Sequence, residues 1–133
     1  MDVYRRLVES APDAILVVED HRIVFANPAA ISLAGKTRTD DLIGQSVVDL
    51  FRSDHHEIFR RRLNEWRTGK STSVLDVSLV RSDGSTVDVE IVGAPLHDDS
   101  FAAVHLVLRN ITERKRAERA LRESEERLSL AWQ

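Results

Sequence analysis

The sequence contains no cysteine. That excludes disulfides, thiol catalysis, cysteine-ligated zinc and iron–sulfur clusters together. It also lacks any apolar run approaching the roughly 18–20 residues of a membrane span, and no signal peptide stands at Met1. A cytoplasmic chain without direct membrane contact is the expectation. Aromatic residues are scarce, at four Phe, two Trp and one Tyr, so a large flat cofactor would meet few stacking partners. Neither sign of charge dominates: 19 basic against 22 acidic side chains leave a net charge of −3. Nucleic-acid binding, which calls for a clearly basic surface, therefore has no electrostatic basis. No nucleophile elbow and no phosphate-cradling glycine loop is present, so no catalytic residue is assigned. The carboxylates of Asp40, Asp41, Asp98 and Asp99 fall in expected loops, where solvation accounts for them.

What is present is a change of period. Over residues 103–111, Val104, Leu106 and Leu108 alternate with His105, Val107, Arg109 and Ile111, the two-residue repeat of a strand with two different faces. No Gly, Pro or loop follows. Thr112 reads as an N-cap with Glu113 in the first turn, and Ala117, Leu121, Ser124, Leu128 and Ala131 then recur at steps of three and four, a narrow seam of the two-stranded coiled-coil kind. Glu118 with Arg122 and Glu123 with Arg127 are i, i+4 pairs, each contributing about 0.2–0.5 kcal/mol to a helix. So polar a helix buries little in its own domain, and a second copy is the natural partner for its seam.

At 133 residues the chain is one domain with an extension. Residues 2–10 read as a short amphipathic helix with Val3 and Leu7 on one side, stopped at Pro12-Asp13. AILVVE and RIVFA are two strands joined by a tight Asp20-His21 turn. Asn27 caps a helix over 28–34 with Pro28 in its first turn, and Gly35 ends it. Residues 36–51 break into one-turn helices, 55–68 form a longer amphipathic helix stopped at Gly69, and three strands follow, the first two joined by Ser82-Asp83-Gly84-Ser85. Pro95 late in the second of these marks an edge position or a bulge. The expected fold is α+β: five antiparallel strands with helices on one face, a short N-terminal cap helix and a C-terminal linker helix of coiled-coil type.

In that order the segments LVESAPDAILVVEDHRIVFANPAA (7–30), DLIGQSVVDLF (41–51), VRSDGSTVDVEI (80–91) and RNITERKRAERAL (109–121) resemble a PAS domain. The likeness divides the chain into an N-terminal cap helix (1–12), a PAS core (13–112) and a signalling helix (113–133). It implies a pocket between the inner sheet face and the middle helices, dimerisation supported by the N-terminal helix, and a C-terminal helix that passes the signal to an effector. The family's Asp-Ile-Thr exit motif is matched at Ile111 and Thr112 and departs at Asn110, where an Asn keeps a hydrogen bond and gives up an ion pair to Arg114. Residues 122–133 resemble the start of a further PAS domain. The parent is thus expected to resemble a bacterial histidine kinase or a cyclic-di-GMP enzyme.

The site residues follow from these readings. Phe25, Leu33, Leu50, Ile58, Phe59, Leu63, Val77, Ile91 and Leu106 are the candidate lining of a pocket for a small apolar ligand. The alternative, that they simply fill the core of a ligandless relay scaffold, stands beside it. Asn110, Ile111, Thr112 and Arg114 are the candidates for signal transmission, and Val3, Leu7, Val107, Leu121 and Leu128 for a homodimer. The cofactor is left open, except that flavin adduct photochemistry of the LOV type needs a cysteine. Haem needs an axial ligand. Only His55 and His56 begin the helix over the pocket, and adjacent helical residues point about 100° apart, so at most one faces inward. His21, His97 and His105 fall in turns or on the outer strand parity and form no metal-ligand spacing.

Overall fold

The computed structural model describes residues 2–70, 73–98 and 101–131; the side chains of residues 2–5, 97, 98, 101, 102, 130 and 131 lie outside that description, among them those of Val3, His97 and Ala131. The chain runs α1 (Asp2–Ser10), β1 (Ala14–Glu19), β2 (Arg22–Ala26), α2 (Pro28–Leu33), three 3₁₀ turns (Thr39–Asp41, Val47–Leu50, Ser53–His55), α3 (His56–Arg67), β3 (Leu75–Val80), β4 (Thr86–Asp98), β5 (Phe101–Asn110) and α4 (Thr112–Ala131). The five strands form one antiparallel sheet in the order β2-β1-β5-β4-β3.

Turn chemistry sets the two short hairpins. Asp20 and His21 both take positive φ, 52° and 65°, the geometry of a type I′ turn, which normally favours Asn and Gly. The neighbouring loop supports this turn, because Val47 N–H donates to the His21 carbonyl at 3.0 Å and Ile23 N–H to that of Gln45 at 2.9 Å. At the β3–β4 turn the Asp83 carboxylate accepts from the Ser85 amide at 2.9 Å and from its hydroxyl at 2.6 Å.

The segment between β2 and β3 crosses from one edge of the sheet to the other. Arg22 bridges Ser46 beside β2, and Phe51 bridges Leu79 beside β3. Arg52 N–H donates to the Ser78 carbonyl at 3.0 Å, and Ser78 N–H to His55 Nδ1 at 3.1 Å. Both edge strands thus find partners for polar main-chain groups that would otherwise face water. Between the two bridges the segment covers the inner face: Ala30, Leu42, Val47, Val48, Leu50, Phe51, Phe59, Leu63 and Trp66 join Leu16, Val18, Val77, Leu79, Val89, Ile91, Val104, Leu106 and Leu108 in one core.

Asn27 ties three elements together. Fully buried, its Oδ1 accepts from the amides of Ile15 at 2.9 Å and Ala30 at 3.0 Å, and its Nδ2 donates to the carbonyls of Val8 at 2.8 Å and Asp13 at 3.0 Å. It caps α2 as expected, and it also docks α1 and β1.

Two expected features differ. α4 begins at Thr112, so Ile111 is its N-cap, and the Ile111 carbonyl takes the first helical bond from Lys115 at 2.9 Å. The i, i+4 pairs expected at Glu118–Arg122 and Glu123–Arg127 are not among the described ion pairs; Glu118 instead pairs back to Arg114 at 3.6 Å.

Candidate functional site

Six of the nine pocket candidates, Leu50, Phe59, Leu63, Val77, Ile91 and Leu106, meet in the interior, none more than 6 % exposed. Three do not. Phe25 lies on the outer sheet face opposite Val17, because a bulge in the β1–β2 pairing between Val17 and Val18 shifts the register and turns it over. Ile58 is 40 % exposed; the inward stripe of α3 is Phe59, Leu63 and Trp66, and Ile58 sits about 100° round from it. Leu33 is partly buried at the edge of the core.

The residue that dominates the interior is Trp66. Fully buried, it meets Phe59 edge-on at a centroid distance of 6.4 Å, and Phe59 in turn lies 4.5 Å from Phe51. Its indole rests on the backbone of Gly93, where a Cβ would come within 2.5 Å of Trp66 Cδ2. Only glycine allows that approach. The indole Nε1–H is spent on the Ser73 carbonyl at 3.3 Å. A tryptophan on the apolar face of a predicted helix is visible in sequence; that it meets a glycine on a strand 27 positions later is a matter of register. At one end of the core a cleft of about 520 Å³ opens beside the β1–β2 turn, floored by Val18, Leu63 and Val104 and rimmed by Glu19, Asn64 and Arg67.

His55 and His56 are each half-buried and engaged with the main chain, His55 Nδ1 accepting from Ser78 N–H and His56 Nε2 lying 2.8 Å from the Phe51 carbonyl. His55 thereby closes the β3 edge, and His56 holds the segment that leads into α3.

The β5–α4 junction is a dense set of contacts. Asn110 Oδ1 accepts from the Thr112 amide at 2.9 Å. Ile111, 3 % exposed, donates its N–H to the Asp88 carbonyl at 2.8 Å, and Asp88 N–H donates to Thr112 Oγ1 at 3.2 Å. The Thr112 hydroxyl therefore serves β4 and does not cap its own helix. Arg114 pairs with Glu90 at 3.3 Å and reaches Asp76 at 4.0 Å, while Lys115 meets Asp76 at 3.6 Å. The acidic partner of Arg114 thus lies on the sheet and not at position 110. These pairs are solvent-exposed and individually contribute little; the hydrogen bonds to Asp88 fix the geometry.

On the outer sheet face Ile15 stands opposite Val107, and Val17 opposite both Phe25 and His105. His105 is half-buried there, its Nε2 has no partner among the described residues, and burial holds its pKa below the ordinary histidine value. Leu7, Leu121 and Leu128 are 64 %, 62 % and 58 % exposed. No helix among the described residues is long and apolar enough to cross a membrane.

The comparisons agree on one relationship. The profile of the PAS domain family matches residues 12–113. Sporulation kinase A of Bacillus subtilis (strain 168) is 30 % identical over 132 residues, covering 99 % of this chain, which spans only 22 % of that protein. Among solved structures, the PAS domain of a Colwellia psychrerythraea protein superposes with a TM-score of 0.76 at 18 % identity, covering 84 % of this chain and 97 % of that one. The PAS domain of a LuxR-family transcriptional regulator from Burkholderia thailandensis, solved in complex with ethanol, gives 0.68 at 21 % identity over 81 % and 96 %. Sequence profile, homologue and strand order converge, and the chain belongs to the PAS domain family of sensory modules.

Proposed function

We propose that this chain is a cytoplasmic sensory module of a histidine-kinase-type protein, that it pairs with a second copy, and that it passes the state of its sheet to an effector domain through α4. The output activity belongs to that effector. The observation that carries this reading is the junction at Asp88. Two hydrogen bonds of the Asp88 main chain, one to the Ile111 amide and one to the Thr112 hydroxyl, and a set of ion pairs join the start of α4 to β3 and β4, so a shift of those strands moves the helix with them. The dimer reading draws support from the exposed Leu121 and Leu128 on α4, from Leu7 on α1 and from the apolar outer face around Val107.

A specific observation favours the relay scaffold over a ligand-gated sensor. Trp66 and Phe59 fill the space between sheet and α3, so any ligand there would have to be small. The ethanol bound by the Burkholderia thailandensis domain is of that size class.

The test is helical phase. Inserting one residue in α4 after Glu118 of the parent protein rotates everything downstream by about 100° and is expected to change effector output sharply; inserting seven restores the phase to within about 20° and is expected to preserve it. Equal outputs from the two insertions would overturn the relay through α4.

A further inference from the structure

We propose that the cleft between the C-terminal end of α2 and the β3–β4 turn binds the phosphate group of a small molecule. The cleft, of about 580 Å³, is lined by Lys36, Arg38 and Arg81 and by the hydroxyl residues Ser32, Thr37 and Thr39, with no carboxylate among its walls. None of the three cations has an ion-pair partner among the described residues. Arg81 is the informative one. It is half-buried, its Nε is enclosed without a hydrogen-bond partner among the described residues, and a partly desolvated guanidinium that makes no close ion pair is a position where an anion is favoured. The carboxylate nearest in sequence, Asp83, is held below its ordinary pKa first by the Ser85 hydroxyl and amide and only then by Arg81; it is committed to its own turn. Asp40 and Asp41 line a neighbouring cleft that shares Lys36 but not Arg38 or Arg81.

The backbone prepares the same place. Gly35 ends α2 with φ +73°, and a Cβ there would press within 3.3 Å of Arg81 Nε and 3.2 Å of the Ser82 amide nitrogen. The glycine lets the Arg81 Nε lie against the chain at the end of α2. Beyond it, the amides of Thr37 and Arg38 donate to no described acceptor. Chemistry selects the ligand class. A planar carboxylate is saturated by one guanidinium fork, whereas a phosphate monoester offers three oxygens and accepts from two forks and a lysine at once. Arg81 also lines a second cleft, of about 450 Å³, that extends to Asn110 at the root of α4. An anion that draws on Arg81 therefore alters a wall shared with the exit junction, a consequence that rests on the relay reading although the binding itself does not.

The experiment titrates the whole chain with inorganic phosphate at constant ionic strength, following backbone amide resonances and binding heat. A saturable single-site response centred on residues 35–39 and 81–82 is expected, weakening as pH falls through the second ionisation of phosphate. Arg38→Gln, an exposed change, is expected to weaken it about tenfold, and Arg81→Gln at least as much. Arg61→Gln on the far face of α3 serves as the control and leaves affinity unchanged. A non-saturating response, or one reduced equally by Arg61→Gln, would overturn the proposal, and amide shifts confined to the cleft in Arg38→Gln exclude misfolding as the cause. Failure here leaves the relay reading standing, since that is judged on α4 insertions alone.

Discussion

At the scale of the residue, two positions carry more of this fold than their type suggests. Asn27 uses all four of its hydrogen-bonding positions in the interior. Truncation leaves the Ile15 amide and two carbonyls unsatisfied and removes the α2 cap, so Asn27→Ala is expected to cost about 2–4 kcal/mol in urea unfolding. Asn27→Asp keeps the shape and the acceptor but loses both donors; a stability equal to the parent would show that the bonds to Val8 and Asp13 contribute nothing. Gly93 is the second. A methyl there meets an indole that is itself pinned, so Gly93→Ala is expected to lose about 1–3 kcal/mol through overpacking, and Trp66→Leu in the same chain should recover part of that loss. Additive losses in the double variant would argue against the contact. The inward strand residues were legible from parity alone, as Val77, Ile91 and Leu106 demonstrate. Phe25 was not, because simple alternation cannot register a bulge, and a single extra residue exchanges the two faces of a strand. Asn27 was legible as a cap because caps are local, whereas its bonds to Val8 and Asp13 depend on how α1 docks.

At the scale of the element, α4 is held by its first turn only; beyond Lys115 its described side chains are exposed. That first turn depends on one β4 residue, Asp88, which both donates and accepts through its main chain. Thr112→Val removes the hydroxyl that takes the Asp88 amide while preserving the branched shape. It is expected to cost about 1 kcal/mol and to speed hydrogen exchange at Asp88, whose amide bonds the hydroxyl, and at Lys115, without affecting β1. If exchange in that turn is unaltered, the hydroxyl is not what fixes the helix. The exit motif was readable in sequence at Ile111 and Thr112, yet the roles exchanged: Asn110 makes the turn, Ile111 is the buried anchor and Thr112 reaches across to β4. Spacing identifies such a motif, but which partner each group finds depends on a strand more than twenty residues upstream.

At the scale of the whole molecule, the outer sheet face sets a half-buried histidine among apolar side chains, with Arg109, Glu90 and Asp76 further along the same face. His105 has a folded-state pKa below its unfolded value of about 6.5. Between those two values the unfolded chain binds more protons, so the contribution of the neutral ring to stability is full above about pH 6.5 and is lost as pH falls towards the folded-state value. The urea midpoint is therefore expected to drop over that window, and His105→Phe to flatten the drop. If the proposed dimer uses this face, self-association measured by sedimentation weakens over the same window and becomes less pH-sensitive in the same variant. A pH slope identical in parent and variant would assign the effect to other groups.

The strap from β2 to β3 has a consequence for how such domains coexist. A sheet with bare margins invites a stray strand, whether from a partly unfolded neighbour or from a sister domain on the same polypeptide. Here Ser46 lies along one margin and Phe51, Arg52 and His55 along the other, and the part of β4 that runs past its β3 pairing carries Pro95, which has no proton to offer an incoming strand. Copies of this domain can crowd together without fusing edgewise into a common sheet, which leaves the broad outer face and the projecting helix as the surfaces open to the pairing proposed above.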